Sequence, residues 1–77
     1  MRENDKFLKA LGKNIDRIRK EKGLSFQEMA YCCDIEKANI VKLTSRGENI
    51  TVNTLYKIAK GLGVSLKVIF DFDLSLK

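Results

Sequence analysis

The chain contains no histidine, no proline and no tryptophan, and its two cysteines stand side by side. Without histidine it lacks the usual general base, the commonest metal ligand and the one side chain whose ordinary pKa lies near neutrality, which excludes most hydrolytic and zinc chemistry. Cys32 and Cys33 cannot supply a C-x-x-C clamp, and two ligands do not close a tetrahedral site. They read as reduced packing residues, and no metal or other cofactor is expected. Long hydrophobic runs are also missing. No stretch approaches the roughly 20 apolar residues that span a bilayer, and the start, MRENDKFLKALGKN, has no apolar core of signal-peptide length. A cytoplasmic protein with no membrane partner is expected, which leaves Asn49-Ile50-Thr51, a glycosylation sequon in form, without that use. No nucleophile, base and orienting group are assembled, so the sequence does not read as an enzyme.

What is present is a chain of 77 residues, 44% hydrophobic and 32% charged, which is globular in composition. At this length it forms a single domain over residues 1–77. A folded domain so small buries only about 60% of its unfolded surface, so help from a partner chain is expected. The net charge is +5, and most of the excess lies in residues 1–23, with eight Lys and Arg against four Asp and Glu. Such a balance permits binding to a phosphate backbone or an anionic surface. It fits equally well the solvated face of an amphipathic helix.

Periodicity predicts an all-α fold of five helices. Leu8, Leu11, Ile15 and Ile18 form one stripe of a helix over about 5–22, ended by Gly23. Ser25-Phe26-Gln27-Glu28 matches the capping box S-x-x-E and opens a short helix over about 26–33. A turn at Asp34, a residue that tolerates the left-handed conformation, leads to a third helix over about 37–45 with Ile40 and Leu43 inward. Thr51 caps a fourth over about 52–62, with Val52, Leu55, Ile58, Ala59 and Leu62 as its apolar face, and Ser65 a fifth over about 66–70. In the tail, 71–77, apolar residues alternate with polar ones at period two from Phe70 onward, the pattern of a β-strand. Such a tail folds back on the first helix, pairs with another chain, or frays.

A capped short helix, a tight turn and a second short helix within a five-helix domain form a helix-turn-helix arrangement. At 100° per residue, Ala38, Val41, Lys42 and Ser45 lie opposite Ile40 and Leu43 on the third helix, with Lys37 and Asn39 flanking them. Lysine donates to guanine O6 and N7, and Ala and Val suit a thymine methyl, so this face has the chemistry to read base edges. For backbone phosphates the candidates are Arg17 and Lys20 of the first helix, the start of the second with Ser25 and Gln27, and Arg46 and Asn49 after the third.

The segments IDRIRKEKGLSFQEMA, IEKANIVKL and TVNTLYKIAKGLGVSLKVIF, in this order and spacing, resemble the Xre-type, λ-repressor-like family of prokaryotic DNA-binding regulators over about 65 residues. The resemblance implies a five-helix λ-repressor-like domain, a homodimer in use, whose second helix rests on the DNA backbone while the third enters the major groove. It places the base readers at Glu36, Lys37, Ala38 and Lys42. Phe26 stands where the family usually has Gln, Asp34 where it has Gly, and Cys33 where it keeps an apolar side chain. The expected function is a sequence-specific, repressor-type transcriptional regulator of double-stranded DNA on a palindromic operator. Leu66, Ile69, Phe70, Phe72 and Leu74 exceed what so small a core can absorb and form the expected dimer interface. The alternative is an antitoxin-like or other protein-interaction module on the same scaffold, with a protein partner of unknown identity.

Overall fold

The structure, a computed structural model, describes residues 3–73. Five helices follow in order: α1 (Glu3–Glu21), α2 (Phe26–Cys33), α3 (Lys37–Arg46), α4 (Val52–Leu62) and α5 (Leu66–Ile69). The all-α expectation holds, with helix ends within two residues of those the periodicity predicts. Among the described residues there is no strand, which corrects the tail reading as far as Asp73. Phe70 and Phe72 turn back onto Phe7 of α1, with ring centroids 6.5 and 5.8 Å away. Phe72 is half-buried and Phe70 stays 44% exposed there, neither with a ladder partner, so the period-two pattern marks an aromatic cluster on α1.

The helix starts follow from their caps. Ser25, Thr51 and Ser65 accept hydrogen bonds from the backbone amides of Glu28, Thr54 and Val68, and Glu28 accepts from the Ser25 amide at 2.8 Å to complete the capping box. The Ser25 amide and hydroxyl together hold the Glu28 carboxyl below its usual pKa. This cap is therefore intact at neutral pH and is lost as pH falls through the lowered value.

Leu11, Ile15 and Ile18 of α1 pack with Met29, Ala30 and Cys33 of α2, Ile40 and Leu43 of α3, Leu55, Ile58, Ala59 and Leu62 of α4, and Ile69 of α5. Val52, expected inward, is 75% exposed: it is the first residue of α4, on the flank of the stripe that Leu55, Ile58 and Leu62 define. Cys33, at the position where the family keeps an apolar side chain, is buried, whereas Cys32 is exposed. Burial, and secondarily the neighbouring Cys32, pushes the Cys33 thiol up to about 11, and its Sγ lies 3.7 Å from the Ile58 carbonyl oxygen. Iodoacetamide at mildly alkaline pH should alkylate Cys32 rapidly and Cys33 only on unfolding, read by mass spectrometry; fast double labelling would refute that environment. Because the unfolded thiol ionises near 9, stability should also decline as pH rises from about 9 towards 11.

Two glycines set how closely the helices approach. A Cβ on Gly12 would collide with the Leu43 carbonyl oxygen, so α1 and α3 touch backbone to backbone. A Cβ on Gly61 would lie 2.7 Å from Cys33 Cα and 2.8 Å from the Cys32 carbonyl oxygen, so α4 meets α2 the same way. Arg19 fixes the turn between α1 and α2. Its Nη1 donates to the Leu24 carbonyl at 2.6 Å, its Nε to Asp16 at 2.9 Å, and its guanidinium stacks 4.1 Å above the Phe26 ring.

Candidate nucleic-acid interface

The turn between α2 and α3 is built on Asp34, whose φ of 56° and ψ of 49° are left-handed. Its amide bonds back to the carbonyls of Ala30 and Tyr31, and the Ile35 amide reaches the Ala30 carbonyl at 3.1 Å. Asp thus fills the glycine-like position that the turn requires. Glu36 follows in extended conformation as the N-cap of α3. It makes no side-chain cap hydrogen bond, which leaves its carboxylate directed to solvent.

Along α3, Ile40 and Leu43 are buried and Val41 and Thr44 half-buried. Lys37, Ala38, Asn39, Lys42, Ser45 and Arg46 are exposed or partly so, with the lysines' side chains reaching the open side. The sequence-predicted readers Glu36, Lys37, Ala38 and Lys42 therefore share one open surface, and neither lysine pairs with a carboxylate among the described residues. Ser45 donates its hydroxyl to the Val41 carbonyl at 2.6 Å and keeps its lone pairs for an outside donor. A groove of about 340 Å³ runs between α3 and the segment leading to α4, with Asn39, Lys42, Glu48 and Asn49 on its rim.

The exit from α3 crosses α1. Gly47 has a φ of 74°, and a Cβ there would lie 2.8 Å from the Leu8 carbonyl carbon and the Lys9 amide, so only glycine fits. Arg46 is paired with Glu48 at 3.2 Å, both largely solvated, and Asn49 is exposed beside them. At the start of α2, Ser25 commits its hydroxyl and amide to the capping box, whereas Gln27 is exposed.

Three expected residues have other local roles. Arg17 donates to Asn14 Oδ1 at 2.8 and 3.1 Å and to Glu21 at 2.7 Å, beside α5. Lys20 pairs with Asp16 at 3.3 Å. Ile69, expected at a dimer interface, is fully buried in the monomer's own core and supplies no outer surface. Its place there is held by Asn14, whose Nδ2 donates to the carbonyls of Ile69 at 2.7 Å and Val68 at 3.1 Å. Leu66 and Phe70 remain exposed, Phe72 is half-buried, and Leu74 lies outside the described residues.

Sequence reasoning missed Asn14 and Arg19. The signal for Asn14 was present: it stands three residues after Leu11 and four before Ile18, inside the apolar stripe. A polar residue at such a position is either a core defect or a partner for buried backbone, and here it is the second.

A capped α2, a left-handed turn and an α3 that buries one face while opening the other define a helix-turn-helix domain. A profile of the Cro/C1-type HTH DNA-binding domain matches residues 14–74, and the chain belongs to that family. It is a DNA-binding transcriptional regulator. It is 39% identical over 57 residues to an uncharacterized HTH-type transcriptional regulator, y4dJ, of Sinorhizobium fredii, covering 74% of each chain. It is 31% identical over 62 residues to the control protein C.BamHI of Bacillus amyloliquefaciens, covering 79% of this chain and 76% of that one. The structure of C.Esp1396I bound to a 19 base pair DNA duplex superposes with a TM-score of 0.77 at 33% identity, over 83% of this chain and 85% of the other. The restriction-modification controller C.AhdI from Aeromonas hydrophila shares the fold, with a TM-score of 0.78 at 21% identity over 82% of this chain and 96% of that one. No helix among the described residues is long and apolar enough to cross a membrane.

Proposed function

We propose that the chain acts as a repressor-type homodimer on a palindromic duplex, with two copies of α3 about 34 Å apart in successive major grooves. The open face of α3 carries this reading: Glu36, Lys37, Ala38 and Lys42 lie on it, and the lysines are unpaired among the described residues, while Ile40 and Leu43 anchor the opposite side. Lys37 and Lys42 donate to guanine edges, Ala38 meets a thymine methyl and Glu36 accepts from cytosine N4. Asn39, Val41 and Ser45 line the groove contact. Gln27 and the start of α2 around Ser25, with Arg46 and Asn49, hold phosphates, and Arg17 and Lys20 add positive charge on α1. A relative of the same fold solved on a DNA duplex supports duplex binding by this domain. The second copy docks on the outer side of α5, through Leu66, Phe70 and Phe72, with the adjoining Leu74.

The test is selection of purified protein against random duplexes, followed by binding at two salt concentrations. A palindrome with half-sites about one helical turn apart, bound with an affinity that falls steeply with salt, is expected. No enriched motif would overturn sequence-specific reading and favour a protein partner. Within a selected site, Lys42→Ala should cost about 1–3 kcal/mol and relax preference at one base pair. Equal weakening on every sequence would instead make Lys42 a phosphate contact.

A further inference from the structure

We infer that the α5 segment is a self-complementary key in which Lys67 of one copy pairs with Asp71 of a second copy. The inference rests on the dimeric reading above and gives that dimer its register. The stretch Leu66-Lys67-Val68-Ile69-Phe70-Asp71-Phe72 is a palindrome of chemical character centred on Ile69. Apolar residues stand symmetrically at 66 and 72 and at 68 and 70, and charges of opposite sign at 67 and 71. A two-fold axis makes a patch meet itself reversed. With the axis at Ile69, Val68 faces Phe70 of the other copy, Leu66 faces Phe72, and Lys67 faces Asp71. The Lys67–Asp71 contact then forms twice, once on either side of the axis.

The structure presents the stretch as this register requires. Ile69 is fully buried, and Asn14 holds its carbonyl at 2.7 Å, so the centre of the palindrome is fixed to α1. Around it Leu66, Val68 and Phe70 are 36%, 37% and 44% exposed, an apolar strip that the monomer's core does not cover. Lys67 and Asp71 are exposed, lie with Val68 and Phe70 around one shallow depression, and form no ion pair among the described residues. Charges of opposite sign at mirrored positions are what an isologous contact selects. A docking site for an unrelated protein has no need of that symmetry.

Charge reversal provides the test, with the full chain measured by sedimentation equilibrium at micromolar concentration and by circular dichroism melting. The wild type should be a dimer. Lys67→Glu alone and Asp71→Lys alone each place two like-charged pairs across the axis and should weaken dimerisation roughly tenfold or more. An equimolar mixture of the two variants should dimerise as the wild type does, because the new acid of one chain faces the new base of the other. The melts distinguish dissociation from unfolding. Should either reversal unfold, Lys67→Gln and Asp71→Asn are used, and each should weaken the dimer by a smaller factor. Either neutral variant dimerising like the wild type would then overturn the pairing. A single reversal that dimerises like the wild type overturns it too, as does a mixture no tighter than its components. A wild type found only as monomer overturns the dimeric reading itself and the pairing with it.

Discussion

Gly12→Ala should remove most of the domain's stability and lower its melting temperature by about 10 °C or more. In an ordinary exposed helix the same change stabilises by about 1 kcal/mol, because alanine restricts the unfolded backbone more than glycine does. Here the sign reverses. The added methyl would collide with the Leu43 carbonyl oxygen, with the carbonyl carbon at 3.1 Å and Thr44 Cα at 3.4 Å. All three are backbone atoms, so no rotamer change relieves the contact, and α1 and α3 must separate along the line where α3 is supported. Overpacking of a core commonly costs about 1–3 kcal/mol, and a backbone collision belongs at or above the top of that range. A domain this small holds about 5 kcal/mol in total, so most of its margin disappears. Thermal melting by circular dichroism checks this, with Gly23→Ala as the comparison. Gly23 is left-handed at φ 71°, but a methyl added there would meet nothing within 4 Å, so only the local strain of about 1–2 kcal/mol is expected. Near-equal melting of the two variants would show that the α1–α3 contact yields easily.

The second large effect is expected at Asn14. Its amide donates to the Val68 and Ile69 carbonyls, and its oxygen accepts twice from Arg17, which is itself held by Glu21. Asn14→Leu fills the space but leaves the buried Ile69 carbonyl without its donor, while the Val68 carbonyl keeps the Asp71 amide and Arg17 keeps water and Glu21, for an expected loss of about 1–3 kcal/mol. Asn14→Asp identifies the interaction responsible, since it keeps an acceptor for Arg17 while turning acceptors towards both carbonyls. It should be at least as damaging as leucine. Hydrogen exchange should show faster opening of α5 in both variants, with weaker dimerisation alongside. If aspartate melted like the wild type, the donor role of Asn14 would be wrong.

The contrast between these two sites and the caps shows what the sequence makes legible. Ser25 with Glu28, Thr51 and Ser65 announce their helices because capping is local chemistry, settled within three residues. The inward residues Ile40 and Leu43 and the open face around Lys42 follow from the helical period, and so does the arrangement of the interface. Val52 and Ile69 depart from expectation for a different reason. Periodicity names the apolar stripe of a helix but says nothing of where the neighbouring helix begins or ends. Val52 lies at the edge of that overlap, and Ile69 is drawn inward by Asn14 on a helix more than fifty residues away in sequence. Gly12 and Gly61 read as weak points in their helices until the helices are brought together. Their meaning lies in contacts with Leu43 and Cys33, which no local rule supplies.

The two helices of the helix-turn-helix rest on separate supports: α3 meets α1 at Gly12, and α2 meets α4 at Gly61, in both cases main chain against main chain. The angle at which the domain docks is therefore set by atoms that every amino acid shares. The outward side chains of α3 contribute almost nothing to that frame. Under the proposed reading of base edges, drift at Lys37, Ala38 or Lys42 alters the preferred target while foldability is preserved, so that a duplicated copy acquires a new binding site in single steps, each a stable protein. The same separation makes the scaffold suited to laboratory libraries randomised at these positions, provided the two glycines are left untouched.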